Sequence, residues 1–412
     1  MSGPLSGLKV VELAQIMAGP TCGMLLADMG AEVIKVEKMP GGDDTRTWNE
    51  PSIAGESAAF IAMNRNKRSI AVDLKSAGGK AVVRRLLSEA DVVTENFRQG
   101  ALDRLGFGYP QVRELNPAIV YCSISGYGRT GPYSGKGGFD LIAQGFAGLM
   151  SITGEPGGAP VKSGSPIADI NAGILAALGI VSAYIHRLKT GRGQLVDTSL
   201  MEAAVQQTYW QAAMFFATGV SAGPTGSAHL LTAPYQAFPT RDGWLNLGGA
   251  NQSNWQRITR IVGAPSLADD PRFVTNADRM RNVPALAAEL GALLRVRTTA
   301  EWLAAFDAAG VPAGPINRIG DALGDPQMLA REMVVEVEHP HTGRQRVLGC
   351  PIKFSETASR VRGPAPLFGE HTREILAEHG YGSEDIERLI ADCAVGLPSA
   401  DAVAAEPVEA CA

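Results

Sequence analysis

Within its first forty residues the chain runs strand, helix, strand, and that succession dictates a parallel sheet. Residues 8–13 (LKVVEL) form a short, largely apolar run, residues 18–29 a helical stretch of small side chains, and residues 32–37 (EVIKVE) a second apolar run. Two adjacent parallel strands need a crossover, and a helix of this length between them makes a βαβ unit. The rhythm continues with strand patterns at 69–74, 90–94 and 119–125 and a helical one at 78–89. Longer helical patterns follow at 167–190 and 199–218, broken at Gly191–Gly193. An α/β fold is therefore expected.

Beyond that point the pattern changes. Residues 223–238 are rich in Gly, Pro and Thr and read as a crossover between domains. A smaller α+β portion follows, with a strand at 243–248 and helices near 254–262, 284–294 and 299–309. A hairpin is expected from 333–338 and 345–349 around 341–343, then amphipathic helices at 370–379 and 383–394. The expected organisation is 1–222 as the large domain, 223–328 as the small one, 329–394 as a return to the first, and 395–412 as a disordered tail.

Composition narrows the function classes. A length of 412 residues suggests two or three domains. The net charge of −5, with no concentrated run of Lys and Arg, argues against a nucleic-acid partner. The longest apolar stretch, 173–185, is too short for a membrane span, and the first eight residues carry no secretory signal pattern. Five scattered cysteines with no CxxC pair fit a cytoplasmic location and give no sign of a structural zinc.

Residues 126–131 (GYGRTG) match GxGxxG after a strand, but Pro132 follows where a helix must open. Without that helix the backbone amides cannot converge on a pyrophosphate, so a loop that shapes a pocket is expected instead. The six histidines do not cluster, no metal-ligand spacing appears, and no GxSxG elbow is present. Asp169 stands out, because it follows Pro166 at the start of the long helix. Two readings stand: a first-turn acid stabilised by the helix dipole, or a carboxylate nucleophile beside small residues.

A set of ordered segments then carries a resemblance. They are PLSGLKVVELAQIMAGP (4–20), GAEVIKVEK (30–38), GDDTRTW (42–48), NRNKRSIAVDLK (64–75), ENFRQGALDRLGFGY (95–109) and SISGYGRTGP (123–132). IAD (167–169), KTGRGQ (189–194), PYQAF (234–238), GVPAGPI (310–316) and PLFGEHTREIL (366–376) complete it. The chain resembles the class III CoA transferases, a group that includes formyl-CoA transferase, the carnitine CoA transferases and the α-methylacyl-CoA racemases. The resemblance implies a Rossmann-like large domain built from both chain ends, a smaller domain between them, and an interlocked homodimer. It implies Asp169 as catalytic nucleophile, with coenzyme A or acyl-CoA as a substrate, a small carboxylate as partner substrate, and no resident cofactor or metal. Coenzyme A contacts carry over to Met17, Ala18, Lys38, Val72, Asp73, Leu74, Lys75, Asn96, Phe97, Arg98, Arg104, Gly137, Gly138, Phe139 and Asp140.

Departures refine the implication. Met17 stands where formyl-CoA transferase has a glutamine, and that enzyme's tetraglycine loop is missing. The racemase branch carries a histidine before an aspartate, whereas here the pair is Phe139-Asp140. An α-proton relay needs two bases, so Phe139 sets transferase above racemase, and the presence of Asp169 sets it above a non-catalytic relative. Among transferases the chain looks most like the branch that moves CoA from succinyl-CoA to dicarboxylates.

Overall fold

A computed structural model describes residues 3–48 and 50–398. Its backbone contacts cluster into two units. One contains residues up to Leu149, Ser163–Tyr209 and the chain from Pro326; the other contains Met150–Lys162 and Trp210–Asp325.

The first unit holds a seven-stranded sheet. Its elements in chain order are β1 (Lys9–Glu12), α1 (Ala18–Asp28), β2 (Glu32–Lys38), β3 (Arg68–Val72), α2 (Ala77–Glu89), β4 (Val92–Glu95) and β5 (Val120–Ser125). They continue with α3 (Asp140–Phe146), α4 (Ile167–Thr190), β6 (Leu195–Ser199), α5 (Leu200–Gln206) and β7 (Val395–Gly396). The strand order is β7-β3-β2-β1-β4-β5-β6, parallel throughout except β7, which runs antiparallel to β3. Leaving out β7, this is the order 3-2-1-4-5-6 of dinucleotide-binding sheets, whose direction of growth reverses between β1 and β4. Val11, Val36, Ile70, Val93 and Tyr121 supply the sheet's share of a core completed by Val82, Leu86 and Leu87 of α2.

Local signals explain most boundaries. Ser76 caps α2 by accepting the Gly79 N–H at 3.0 Å. Gly191, at φ +71°, ends α4 in the left-handed conformation that a β-carbon disfavours. Gly173 lets α4 lie against α1, since a Cβ there would sit 2.6 Å from the Ala18 carbonyl oxygen. By length and composition α4 passes as a membrane-crossing helix, being longer than the apolar stretch within it. Its apolar character has a local cause: Ala168, Ala172, Ala176, Ile180 and Ala183 form a buried stripe.

Around the end of β1 lies an ionic network. Lys35 and Lys67 both reach the Glu12 carboxylate at 3.0 Å, with all three side chains 0–1% exposed. Lys35 also pairs with Asp43 at 2.8 Å, and Lys67 donates to Pro20 O and Asn64 Oδ1 at 2.9 Å. Gly23 makes room, because a Cβ there would lie 1.8 Å from Glu12 Oε2.

The second unit has an antiparallel sheet ordered Ala313–Pro315, Trp244–Gly248, Tyr235–Pro239. Trp255, Phe273, Leu290, Trp302 and Phe306 form its core. Reciprocal capping boxes, Thr275 with Asp278 and Thr298 with Glu301, start two of its helices.

Four expectations change. The helical pattern at 199–218 resolves into α5 and a separate helix, Tyr209–Thr218, and β6 emerges ahead of it as an edge strand. The small unit begins at Trp210 rather than 223, ends at Asp325, and includes the excursion Met150–Lys162. The segment 223–238, read as a crossover, contains strand residues 235–238. The tail cannot start at 395, because Val395 and Gly396 pair with Val72 and Ala71. Residues 399–412 lie outside the described ones.

Candidate active site

Ligands of open parallel sheets lie beyond the carboxyl ends of the strands, where the strand order reverses. Here that point is flanked by the turn after β1 and the segment after β4, and a cleft of about 460 Å³ opens there. Gln15, Ile16, Met17 and Ala18 line one side, with Asn96, Phe97, Arg98 and Arg104 beside them. Gly126, Gly137, Gly138 and Phe139 close another side, and Asp169 is in the lining.

The turn after β1 is held from outside. Asn96 accepts the Gln15 N–H at 3.0 Å and donates back to the Gln15 carbonyl at 2.7 Å. The Asn96 amide, an expected ligand contact, is thus engaged with protein backbone while the residue still lines the cleft. Gly126 and Gly138 meet backbone to backbone, since a Cβ on Gly126 would fall 2.7 Å from the Gly138 Cα. The GYGRTG segment opens directly into no helix, and its Gly126 lines the cleft. Arg129 anchors it by bonding Glu95 and Ser123 and donating to the Phe97 carbonyl at 3.2 Å.

Asp169 lies in the first turn of α4, half-buried, with no hydrogen-bond donor to its carboxylate among the described residues. Burial, and then the negative charge of Asp140, pushes its pKa up to about 7. The cap of α4 comes instead from Asp140, which accepts the Ala168 N–H at 2.9 Å and the Gln144 Nε2 at 2.7 Å. This favours a reactive role for Asp169 over a capping one, and it gives Asp140, an expected ligand contact, a structural engagement as well. That carboxylate is engaged by α4 and Gln144, and it does not line the cleft.

The other expected residues divide. Met17, Ala18, Asn96, Phe97, Arg98, Arg104, Gly137, Gly138, Phe139 and Asp169 share the cleft. Val72, Asp73, Leu74 and Lys75 do not. Val72 is fully buried in the sheet core, and the Asp73 carboxylate accepts the backbone N–H of exposed Lys75 at 3.0 Å. Lys38 also stands back, bonded to Asp44 and, at 3.3 Å, to Gln15 Oε1, both of which line the cleft. Sequence reasoning missed Lys136, a third cleft cation beside Arg98 and Arg104, although it directly precedes the Gly137-Gly138 pair.

A cleft with three cations, a glycine wall and one unbonded carboxylate suits an anionic, thioester-bearing ligand. The family pattern of CoA-transferase family III matches residues 5–372. The chain belongs to that family. As a CoA transferase it is an enzyme, and its relatives align over nearly their whole lengths. It is 43% identical to the succinate–glutarate CoA-transferase of Agrobacterium fabrum, covering 93% of this chain and 97% of that one. It is 39% identical to the succinyl-CoA:glutarate CoA-transferase of Mus musculus, covering 94% and 89%. The crystal structure of a CAIB/BAIF family protein from Brucella suis superposes with a TM-score of 0.84 at 42% identity, covering 92% and 100%.

Proposed function

We propose that this enzyme moves CoA from succinyl-CoA to a five-carbon dicarboxylate such as glutarate, with Asp169 carrying the CoA between them as a thioester. Identity of 43% and 39% to enzymes named for that exchange supports the substrate pair. The single observation that carries the residue assignment is a half-buried carboxylate, with no donor among the described residues, in a cleft with three cations.

The exchange balances as follows. The Asp169 oxygen attacks the thioester carbonyl, the C–S bond breaks, and a mixed anhydride forms as the CoA thiolate leaves. The thiolate attacks the Asp169 carbonyl carbon, expelling succinate and leaving an aspartyl-CoA thioester. An acceptor carboxylate attacks that thioester and again releases the thiolate. The thiolate then takes the acceptor's acyl carbon, and Asp169 is regenerated as a carboxylate. Splitting one exchange into steps between groups of similar leaving ability is the gain of covalent catalysis. Arg98, Arg104 and Lys136 suit the CoA phosphates, and the Gly126–Gly138 wall admits a close backbone approach.

Incubating the enzyme with succinyl-CoA and a panel of small carboxylates, read by mass spectrometry, should give glutaryl-CoA or a homologue of it. In deuterated water without an acceptor, 2-methylacyl-CoA should keep its α-proton. No new acyl-CoA from any dicarboxylate would refute the reading, and rapid α-deuteration would replace it with racemisation.

The working form in this proposal is an interlocked homodimer in the cytoplasm. Exposed Ile174, Leu178, Ile185 and Leu188 on α4 give a second copy an apolar surface to cover. Light scattering should return about twice the 43.3 kDa chain mass, and a monomer mass would contradict it.

A further inference from the structure

The βα turn of a nucleotide-binding sheet usually owes its shape to glycines, which adopt backbone conformations closed to other residues. This turn has none between Ala14 and Ala18, yet Ile16 sits at φ +72°. A β-branched residue in the left-handed region needs external support, because its Cβ crowds the following carbonyl.

That support is visible. The Ile16 N–H donates to both oxygens of the buried Asp43 carboxylate at 3.1 Å. Asp43 is itself fixed by Lys35 Nζ at 2.8 Å, by the Thr45 N–H at 3.0 Å and by the Thr45 hydroxyl at 2.8 Å. The same Lys35 ammonium donates to the Ala14 carbonyl at 2.9 Å. Residues 14 and 16 are therefore pinned by one Lys–Asp pair, while Asn96 pins Gln15 between them. Although burial opposes ionisation of Asp43, Lys35 and Thr45 hold its pKa down to about 2. Asp43 does not line the cleft; Ile16, Met17 and Ala18 do.

We propose that Asp43 is a positioning residue of the acyl-CoA cleft: it holds residue 16 left-handed and so fixes the turn that presents Met17 and Ala18 to the ligand. The inference rests on the acyl-CoA reading above. In Asp43→Asn, one acceptor is lost and an amide donor faces the Lys35 ammonium. KM for acyl-CoA should rise at least about tenfold with kcat within about threefold, since misplaced binding elements weaken the complex while Asp169 is unaltered. The acidic limb of the pH profile should stay where it is.

Ile16→Gly supplies the cross-check, because glycine takes the left-handed conformation without the bond. Adding Asp43→Asn to Ile16→Gly should raise KM less than about threefold over Ile16→Gly alone. If Asp43→Asn does not fold, Thr45→Val, which removes one isosteric hydroxyl, should still raise KM about threefold with little change in melting temperature. A folded Asp43→Asn or Thr45→Val enzyme with wild-type KM overturns the positioning role, as does a full Asp43→Asn effect in the glycine background. Wild-type turnover of acyl-CoA is measured first: its absence sinks the functional reading, whereas turnover with unmoved KM sinks the positioning role alone.

Discussion

Asp169→Ala is expected to keep the fold and to lower CoA transfer on the order of 10³-fold or more, as losses of covalent nucleophiles do. Wild-type enzyme incubated with acyl-CoA should carry a hydroxylamine-sensitive adduct on the peptide that includes residue 169, and the alanine variant should not. The pH profile follows from the carboxyl's environment. Burial and the Asp140 charge place its pKa near 7, so kcat/KM should fall with unit slope below about pH 7 as the nucleophile protonates. Stability moves the opposite way. The folded pKa lies above the unfolded carboxyl value of about 3.9, so folding favours the protonated form. That contribution is complete below about pH 4 and is lost as pH rises through 7. Asp169→Asn escapes the loss, so it should melt roughly 2–5 °C above wild type at pH 8 and level with it near pH 4. Near-normal turnover by Asp169→Ala would end the nucleophile assignment. A melting difference that ignores pH would end the account of the raised pKa.

Glu12→Ala should produce the largest loss of stability. Among the described residues, removing this carboxylate strips Lys67 of the only acid it pairs with and leaves Lys35 paired with Asp43. Breaking a buried pair costs about 3–5 kcal/mol, because the remaining buried charge keeps only neutral acceptors and no counter-charge. A melting temperature lower by on the order of 10 °C is expected at neutral pH. The deficit also has a sign in pH. Burial already brings the Lys67 pKa down to about 8, and losing Glu12 lowers it further. The unfolded lysine titrates near 10.4, so the variant's folded state carries fewer protons than its unfolded state over a wider span. Its stability therefore climbs with pH from a lower starting point, and the gap to wild type should be greater at pH 6 than at pH 9. Melts at the two pH values with equal gaps would show that Lys67 keeps its proton without Glu12.

Tertiary contact, not chain pattern, explains why Glu12 and Asp43 escaped the sequence reading. Both look like ordinary acids, one at the end of a strand and one in a Gly-Asp-Asp turn. Nothing local tells that Lys35 and Lys67 converge on the first, or that the second reaches back 27 residues to the Ile16 N–H. Lys136 was hidden for a similar reason, since a lone lysine in a glycine-rich loop is most often solvated.

The sequence by itself determined the alternation of strands and helices, the 24-residue helix Ile167–Thr190, and the place of Asp169 in its first turn. These follow from periodicity and breakers within a window of a few turns, which is where hydrophobic patterning acts. The ordered family segments added an expected class of ligand and several residues that line the cleft. Tertiary structure alone decided the strand order, the short edge strands β6 and β7, and the use of Asp140 as the cap of α4. It also decided that Val72 is buried in the sheet core and that the Asp73 carboxylate is engaged by the Lys75 N–H. Those outcomes depend on pairings between residues far apart in the chain, whose hydrogen bonds and charges have partners only once the sheet has closed.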